Sequence, residues 1–249
     1  MTKYLRLSFV FCLLTFCCVK LWADNKEVRL TSLEWPPYTG QSLPNQGASA
    51  AIAREAFKAM GYTLLVDFYP WSRAVNLAKQ HSRFVGYFPE YYSSEIGKQF
   101  YYSDAIGEGA LGFAERENKP VVWNSLDDLA WLKIGVVQDY VNTEELDQKI
   151  AQKKLQSDVA TNDLKNLLKL NGKRIDLAVV DKNVFNFLIN TSPELASAKK
   201  QLRFNERILE NKSLFVCFRK DPEGERMQKI FNEGLKKINI NAIMEAHLK

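Results

Sequence analysis

Histidine and cysteine are the scarce residues of this 249-residue chain. There are two histidines, His81 and His247, and four cysteines, three of which (Cys12, Cys17 and Cys18) fall in the first eighteen positions. His81 sits in the polar turn QHSR and His247 is close to the end, so neither has partners at the spacing of a zinc site or a Ser-His-Asp relay. There is no G-x-x-x-x-G-K-[ST] phosphate loop and no G-x-S-x-G elbow. Gly107, Gly109 and Gly112 superficially resemble a G-x-G-x-x-G turn, but no helix pattern follows them. No catalytic residue, metal or cofactor is therefore expected. The composition is 46% hydrophobic and 25% charged, which excludes wholesale disorder and a polytopic membrane protein.

Residues 1–23 have the layout of a secretory signal peptide. Lys3 and Arg6 precede an apolar run from Leu7 to Val19, and Ala23 precedes the polar Asp24. The run is shorter than the roughly 20 residues of a membrane span, and Lys20 interrupts it. A retained anchor is the competing reading. Lipidation at Cys17 or Cys18 is set aside, because Phe16 stands where a small residue is wanted. Removing this leader lowers the basic count from 34 to 31 against 29 acidic residues, a net charge of +2. Nothing in that balance calls for nucleic acid. Cys217, the one thiol left, lies in the apolar run SLFVCF and reads as a buried hydrophobe.

Hydrophobic periodicity predicts strands at 28–35, 62–69 and 84–88, alternating with helices at 49–60 and 72–80. A β-rich stretch with three glycines follows at 100–116, and a charged break at 115–120 ends in Pro120. The rhythm then restarts with strands at 132–138, 155–160 and 174–180 and helices at 143–153, 162–170 and 181–189, the last opened by Asp181 as N-cap. A strand at 213–220 and a helix at 223–238 close the pattern. This is an α/β chain of crossover units, each with a mostly parallel sheet.

Aromatic residues gather where strands end. Trp35, Pro36, Pro37 and Tyr38 follow the first strand; Trp71 and Arg73 follow the second; Phe88, Glu90, Tyr91 and Tyr92 follow the third; Asp139 and Tyr140 follow the strand at 132–138. In parallel sheets ligands bind beyond the carboxyl ends of strands, where loops converge. Flat rings with a few charges suit a small polar solute. For Phe88 and Tyr101 a place in the core is an equal expectation.

EWPPYTG, GASAAIAREAFKAMGY, PWSRAVNLAK, GYFPEYYSS, FYYSDAI and RIDLAVVDKNV, in that order, resemble the family 3 extracellular solute-binding proteins of bacteria, of polar amino-acid-binding type. The resemblance implies a two-lobed periplasmic-binding-protein fold of type II, its lobes joined by two crossover strands. Residues 24–116 and 212–249 would form lobe one and 117–211 lobe two. It implies a periplasmic monomer that closes on a small polar solute and serves an inner-membrane transporter permease or a sensor. An enzyme of dehydratase type, using carboxylates among Glu34, Glu90, Asp139 and Asp181, is the alternative. Trp35 falls at the family's ring-stacking position, Asp181 at the carboxylate that receives an amino group, and 137–143 at the segment that holds a carboxylate. The family's arginine after the third strand is absent, because Ile96 stands near its place. Either Arg73 or Lys98 replaces it, or the ligand is not an ordinary α-amino acid. The expected ligand-binding set is Glu34, Trp35, Tyr38, Trp71, Arg73, Phe88, Glu90, Tyr91, Tyr92, Asp139, Tyr140 and Asp181.

Overall fold

The computed structural model describes residues 26–248; the leader reading of residues 1–23 lies outside them. The first half of the chain runs β1 (Lys26–Ser32), α1 (Ala48–Lys58), β2 (Tyr62–Phe68), α2 (Trp71–Gln80), β3 (Gly86–Tyr91), the one-turn α3 (Ser94–Gly97), β4 (Phe100–Tyr102) and β5 (Gly107–Arg116). The second half runs β6 (Lys133–Val137), α4 (Glu144–Ala151), β7 (Gln156–Ala160), α5 (Asp163–Asn171), β8 (Leu177–Asp181) and α6 (Lys182–Thr191). The chain then returns through β9 (Leu202–Arg219), α7 (Pro222–Leu235) and α8 (Ile240–Leu248).

The sheet order is β2-β1-β3-β9-β5-β8-β6-β7, with β4 also on β9. The sheet has two wings. In one, β1 pairs in parallel with both β2 and β3; in the other, β6 pairs in parallel with both β7 and β8. Between them lie the antiparallel β5 and β9, paired from Gly107↔Leu214 to Arg116↔Leu202. Parallel pairs require crossover helices, which is why each wing alternates strand and helix.

Each wing buries its own apolar faces. Phe57 of α1, Phe231 of α7 and Phe218 of β9 pack ring to ring at 5.0–6.4 Å. Met227, Phe231 and Leu235 recur every four residues and form the buried stripe of α7. Across the molecule, every residue of β8 is buried, as a strand covered on both faces requires. Cys217 is fully buried, and burial pushes its thiol up.

Two sequence expectations change, and one element is added. The third strand extends to Tyr91, so Phe88, Glu90 and Tyr91 are strand residues and not a loop beyond it. Pro89 is accommodated because the β3–β9 register shifts between Tyr87 and Glu90, a bulge that spares the missing N–H. The late strand begins at Leu202 and not 213, since its exposed outer half (Glu206, Arg207, Glu210) hides the alternation under charge. The terminal α8 had no sequence expectation; its buried Met244 docks against β5 at Gly107.

Candidate functional site

The turn after β1 folds back on itself: Trp35 N–H donates to the Thr39 carbonyl and Tyr38 N–H to the Trp35 carbonyl. That turn stacks the two rings at 4.6 Å. Tyr91, at the end of β3, meets Trp35 edge-on at 5.9 Å. Trp71, the first residue of α2, points its ring edge at Tyr140 of the opposite wing, also at 5.9 Å. Four rings from two strand ends and one helix start thus face the second wing.

The second wing answers with carboxylates at helix starts. Asp181 ends β8 and caps α6, accepting from Asn183 N–H at 2.8 Å and Val184 N–H at 3.2 Å. It also accepts from the hydroxyls of Tyr38 at 3.1 Å and Tyr91 at 3.4 Å, both from the first wing. Asn183 Nδ2 donates in turn to the Tyr38 hydroxyl at 2.8 Å. Asp163 opens α5 beside Tyr140. Glu90 supplies the first wing's own carboxylate, accepting from Tyr87 Oη at 3.0 Å and from Tyr91 N–H at 2.9 Å.

All three carboxyls are buried, and burial raises each: Glu90 to about 8, Asp163 to about 7 with the Asp181 charge adding to it, and Asp181 to about 6. The helix-start amides, which favour the ionised form, hold Asp181 the lowest of the three. Burial likewise pushes the Tyr38 and Tyr91 hydroxyls up, so they stay protonated donors.

A second set of contacts ties the wings at the rim. Trp71 Nε1 donates to the Asp139 carbonyl at 3.0 Å, and Ser72 Oγ donates to the Asp139 carboxylate. Asp139 holds φ at +61°, a left-handed conformation that Asp tolerates better than most residues.

Three spaces lie between the wings. An open groove of about 450 Å³ runs past Glu34, Trp71, Tyr140 and Asn162. Behind it is a cavity of about 30 Å³ at Glu90, and beyond that one of about 10 Å³ at Asp163 and Asp181. The inner two share Trp35, Tyr91, Tyr140 and Val141 as walls. They have room for a water or so, and a solute can enter only if the rings part.

Of the twelve expected residues, Trp35, Tyr38, Trp71, Glu90, Tyr91, Tyr140 and Asp181 converge here. Glu34 lies on the groove, exposed, accepting from Gln41 N–H at 2.9 Å. Asp139 serves the rim. Phe88 does not line any of the three spaces: it is fully buried in the first wing's core, on the opposite side of the pleat from Tyr87. Tyr92 is 60% exposed and leans on Tyr102 at 5.2 Å, because the strand carries Tyr91 inward and ends before it. Arg73 lies outside too, exposed on α2 with its guanidinium over the Tyr69 ring at 5.0 Å. Lys98 pairs with Glu95 on the surface. Val141 and Asn142, within the expected 137–143 segment, line the inner cavities, and Asp163 lines one without having been expected. Asn162-Asp163 reads in sequence as an ordinary helix cap, and only the approach of the first wing gives it a second use.

No family model and no curated protein matches the chain. Solved structures do. A histidine kinase sensor domain with similarity to periplasmic binding proteins superposes with a TM-score of 0.74 at 18% identity, over 90% of this chain and 94% of that one. The GluR0 ligand-binding core from Nostoc punctiforme, in complex with L-glutamate, gives 0.70 at 16% identity over 88% and 96%. The amino acid ABC transporter substrate-binding protein AbpA from Streptococcus pneumoniae, bound to L-arginine, gives 0.71 at 14% identity over 89% and 94%. The chain therefore has the two-lobed fold of these ligand-binding proteins.

Proposed function

We propose that this chain is an exported solute-binding protein that captures a small polar solute between its two lobes and closes on it. Residues 24–116 and 212–249 form the first lobe in this reading and 117–211 the second, with β5 and β9 as the hinge. Residues 1–23 direct export to the periplasm. One observation carries the reading: Asp181 of one wing accepts from Tyr38 and Tyr91 of the other, so these two buried hydroxyls find this acceptor only across the gap between the wings. A solute that bridges those same groups stabilises the closed form by its differential affinity.

The closed form would be read by an inner-membrane transporter permease or by a sensor kinase. The similar structures include a histidine kinase sensor domain and an amino acid ABC transporter substrate-binding protein, which supports each as a candidate for this chain. The binding reading is tested by thermal denaturation with amino acids, amines and small carboxylates. A solute at a hundred times its Kd adds about 2.7 kcal/mol, which moves Tm by about 5–10 °C for a chain of this size. Turnover of a compound without any such shift would instead support a cleft enzyme.

A further inference from the structure

An α-amino acid asks two things of a site: acceptors for its ammonium and a cation or free donors for its carboxylate. The first is built here, and for the second there is no cation on these walls; the one unpartnered buried donor there is the Trp35 indole N–H. The groove and the two inner cavities are lined by Glu34, Glu90, Asp163 and Asp181, and by no Lys, Arg or His. The hydroxyls of Tyr38, Tyr91 and Tyr87 are already donated to Asp181 and Glu90. Among the described residues Lys212 is the one buried cation nearby, and it is engaged: its Nζ lies 3.5 Å from Glu210 and 5.5 Å from the centre of the Tyr91 ring, and it lines none of the three spaces. A carboxylate entering this space would be stripped of water among other carboxylates, which costs several kcal/mol without compensation.

A cation fits the same surfaces. Trp35, Trp71, Tyr91 and Tyr140 offer ring faces and edges, and rings attract cations most strongly when water is excluded. The acids are placed at two ends. Glu90 lies at the first cavity and Asp163 with Asp181 at the second, and the shared wall of Trp35 and Tyr140 would merge the two into one narrow slot when those rings part. The Trp35 indole N–H on that wall is buried and makes no hydrogen bond, although it is close enough to Asp163 to favour its ionised form. An orphaned buried donor of this kind marks a place that an occupant rearranges.

We propose that the solute is a slender aliphatic cation with an ammonium or guanidinium group at each end and no free carboxylate, held by Glu90 at one end and by Asp163 and Asp181 at the other. This rests on the binding reading above and sharpens it. The acids would lose their protons to admit the cation. Glu90 faces Tyr87, Tyr91, Lys212, Cys217 and Tyr140, and Asp163 faces Asp181, Tyr140 and Tyr91; among these Lys212 is the one group positively charged at neutral pH.

The test pairs each amino acid with its decarboxylated form: lysine with cadaverine, arginine with agmatine, ornithine with putrescine. Affinities are measured by titration calorimetry on the whole protein. The expected result is binding of at least one amine, tenfold or more tighter than its parent amino acid. Its affinity should rise by well over tenfold from pH 6 to pH 8, with protons released to buffer. Glu90→Gln and Asp163→Asn should each weaken it tenfold or more at pH 8, in variants whose melting shows them folded. Parent amino acids binding as tightly as the amines would overturn the cation assignment and leave solute binding intact. Failure of the amines, the amino acids and the wider solute library alike would overturn both.

Discussion

The two wings contribute to the space between them in different currencies. The first wing supplies surface: Trp35, Tyr38, Trp71 and Tyr91 are large rings set by a tight turn, a helix start and a strand end. The second supplies charge at helix starts: Asp163 and Asp181 sit where amides already point at them. The first wing's buried acid, Glu90, lacks a helix start, and burial lifts it highest, to about 8. Burial raises all three, and helix-start amides hold Asp181 lowest while Asp163, also at a helix start but beside the Asp181 charge, sits higher. The wings are unequal: rings keep their shape wherever the wing goes, whereas a buried carboxyl depends on what the other wing brings.

The largest effect expected from breaking this division is at Gly109 of β5. A Cβ there would come within 2.0 Å of Asp181 Oδ2 and 2.5 Å of the Tyr38 hydroxyl. Gly109→Val keeps strand propensity while forcing the ring and the acid apart, so solute binding should fall a hundredfold or more by calorimetry, with the protein still cooperatively folded. Asp181→Ala separates the residue's two roles. Losing the cap should lower stability by about 0.5–2 kcal/mol in denaturant melts, whereas Asp181→Asn should restore that stability and leave binding at least tenfold weak.

A pH scan sharpens the contrast between the acids. Glu90, Asp163 and Asp181 have folded-state values above the ordinary range of about 3.9–4.3 for unfolded carboxyls. The folded protein therefore binds more protons than the unfolded chain between about pH 4 and pH 8. The stability from these groups is present below pH 4 and is lost as pH rises through 6, 7 and 8. Tm of the solute-free protein should drop from pH 5 to pH 9, and Glu90→Gln should flatten the upper part of that fall. Smallest of all, Tyr92→Ala and Arg73→Ala should leave binding within twofold and stability within about 0.5 kcal/mol, because both side chains lie on the outer surface.

How much of this could be read from the residues follows the same division. Rings beside Pro-rich turns advertise themselves, so Trp35, Tyr38, Trp71 and Tyr91 were visible in sequence, as was the alternation that builds each wing. Asp181 was visible as a cap. Asp163 was not, because a helix-starting Asp is explained by its own helix, and its second neighbour, Tyr140, belongs to a different element. Arg73 and Tyr92 misled for the complementary reason: their types suit a binding cleft, but the turn of α2 and the end of β3 point them to solvent. The exposed stretch of β9 was hidden because a strand that links two wings need not alternate.

The account stands or falls on the wings moving relative to each other. Spin labels on Lys79→Cys in α2 and Lys153→Cys after α4, both exposed on opposite wings, would read that distance by pulsed electron resonance, with buried Cys217 left silent. The account predicts a broad or doubled distance distribution in the solute-free protein that collapses to its shorter component when the bound solute is added. One narrow distance, unchanged by a solute shown to bind, would contradict it.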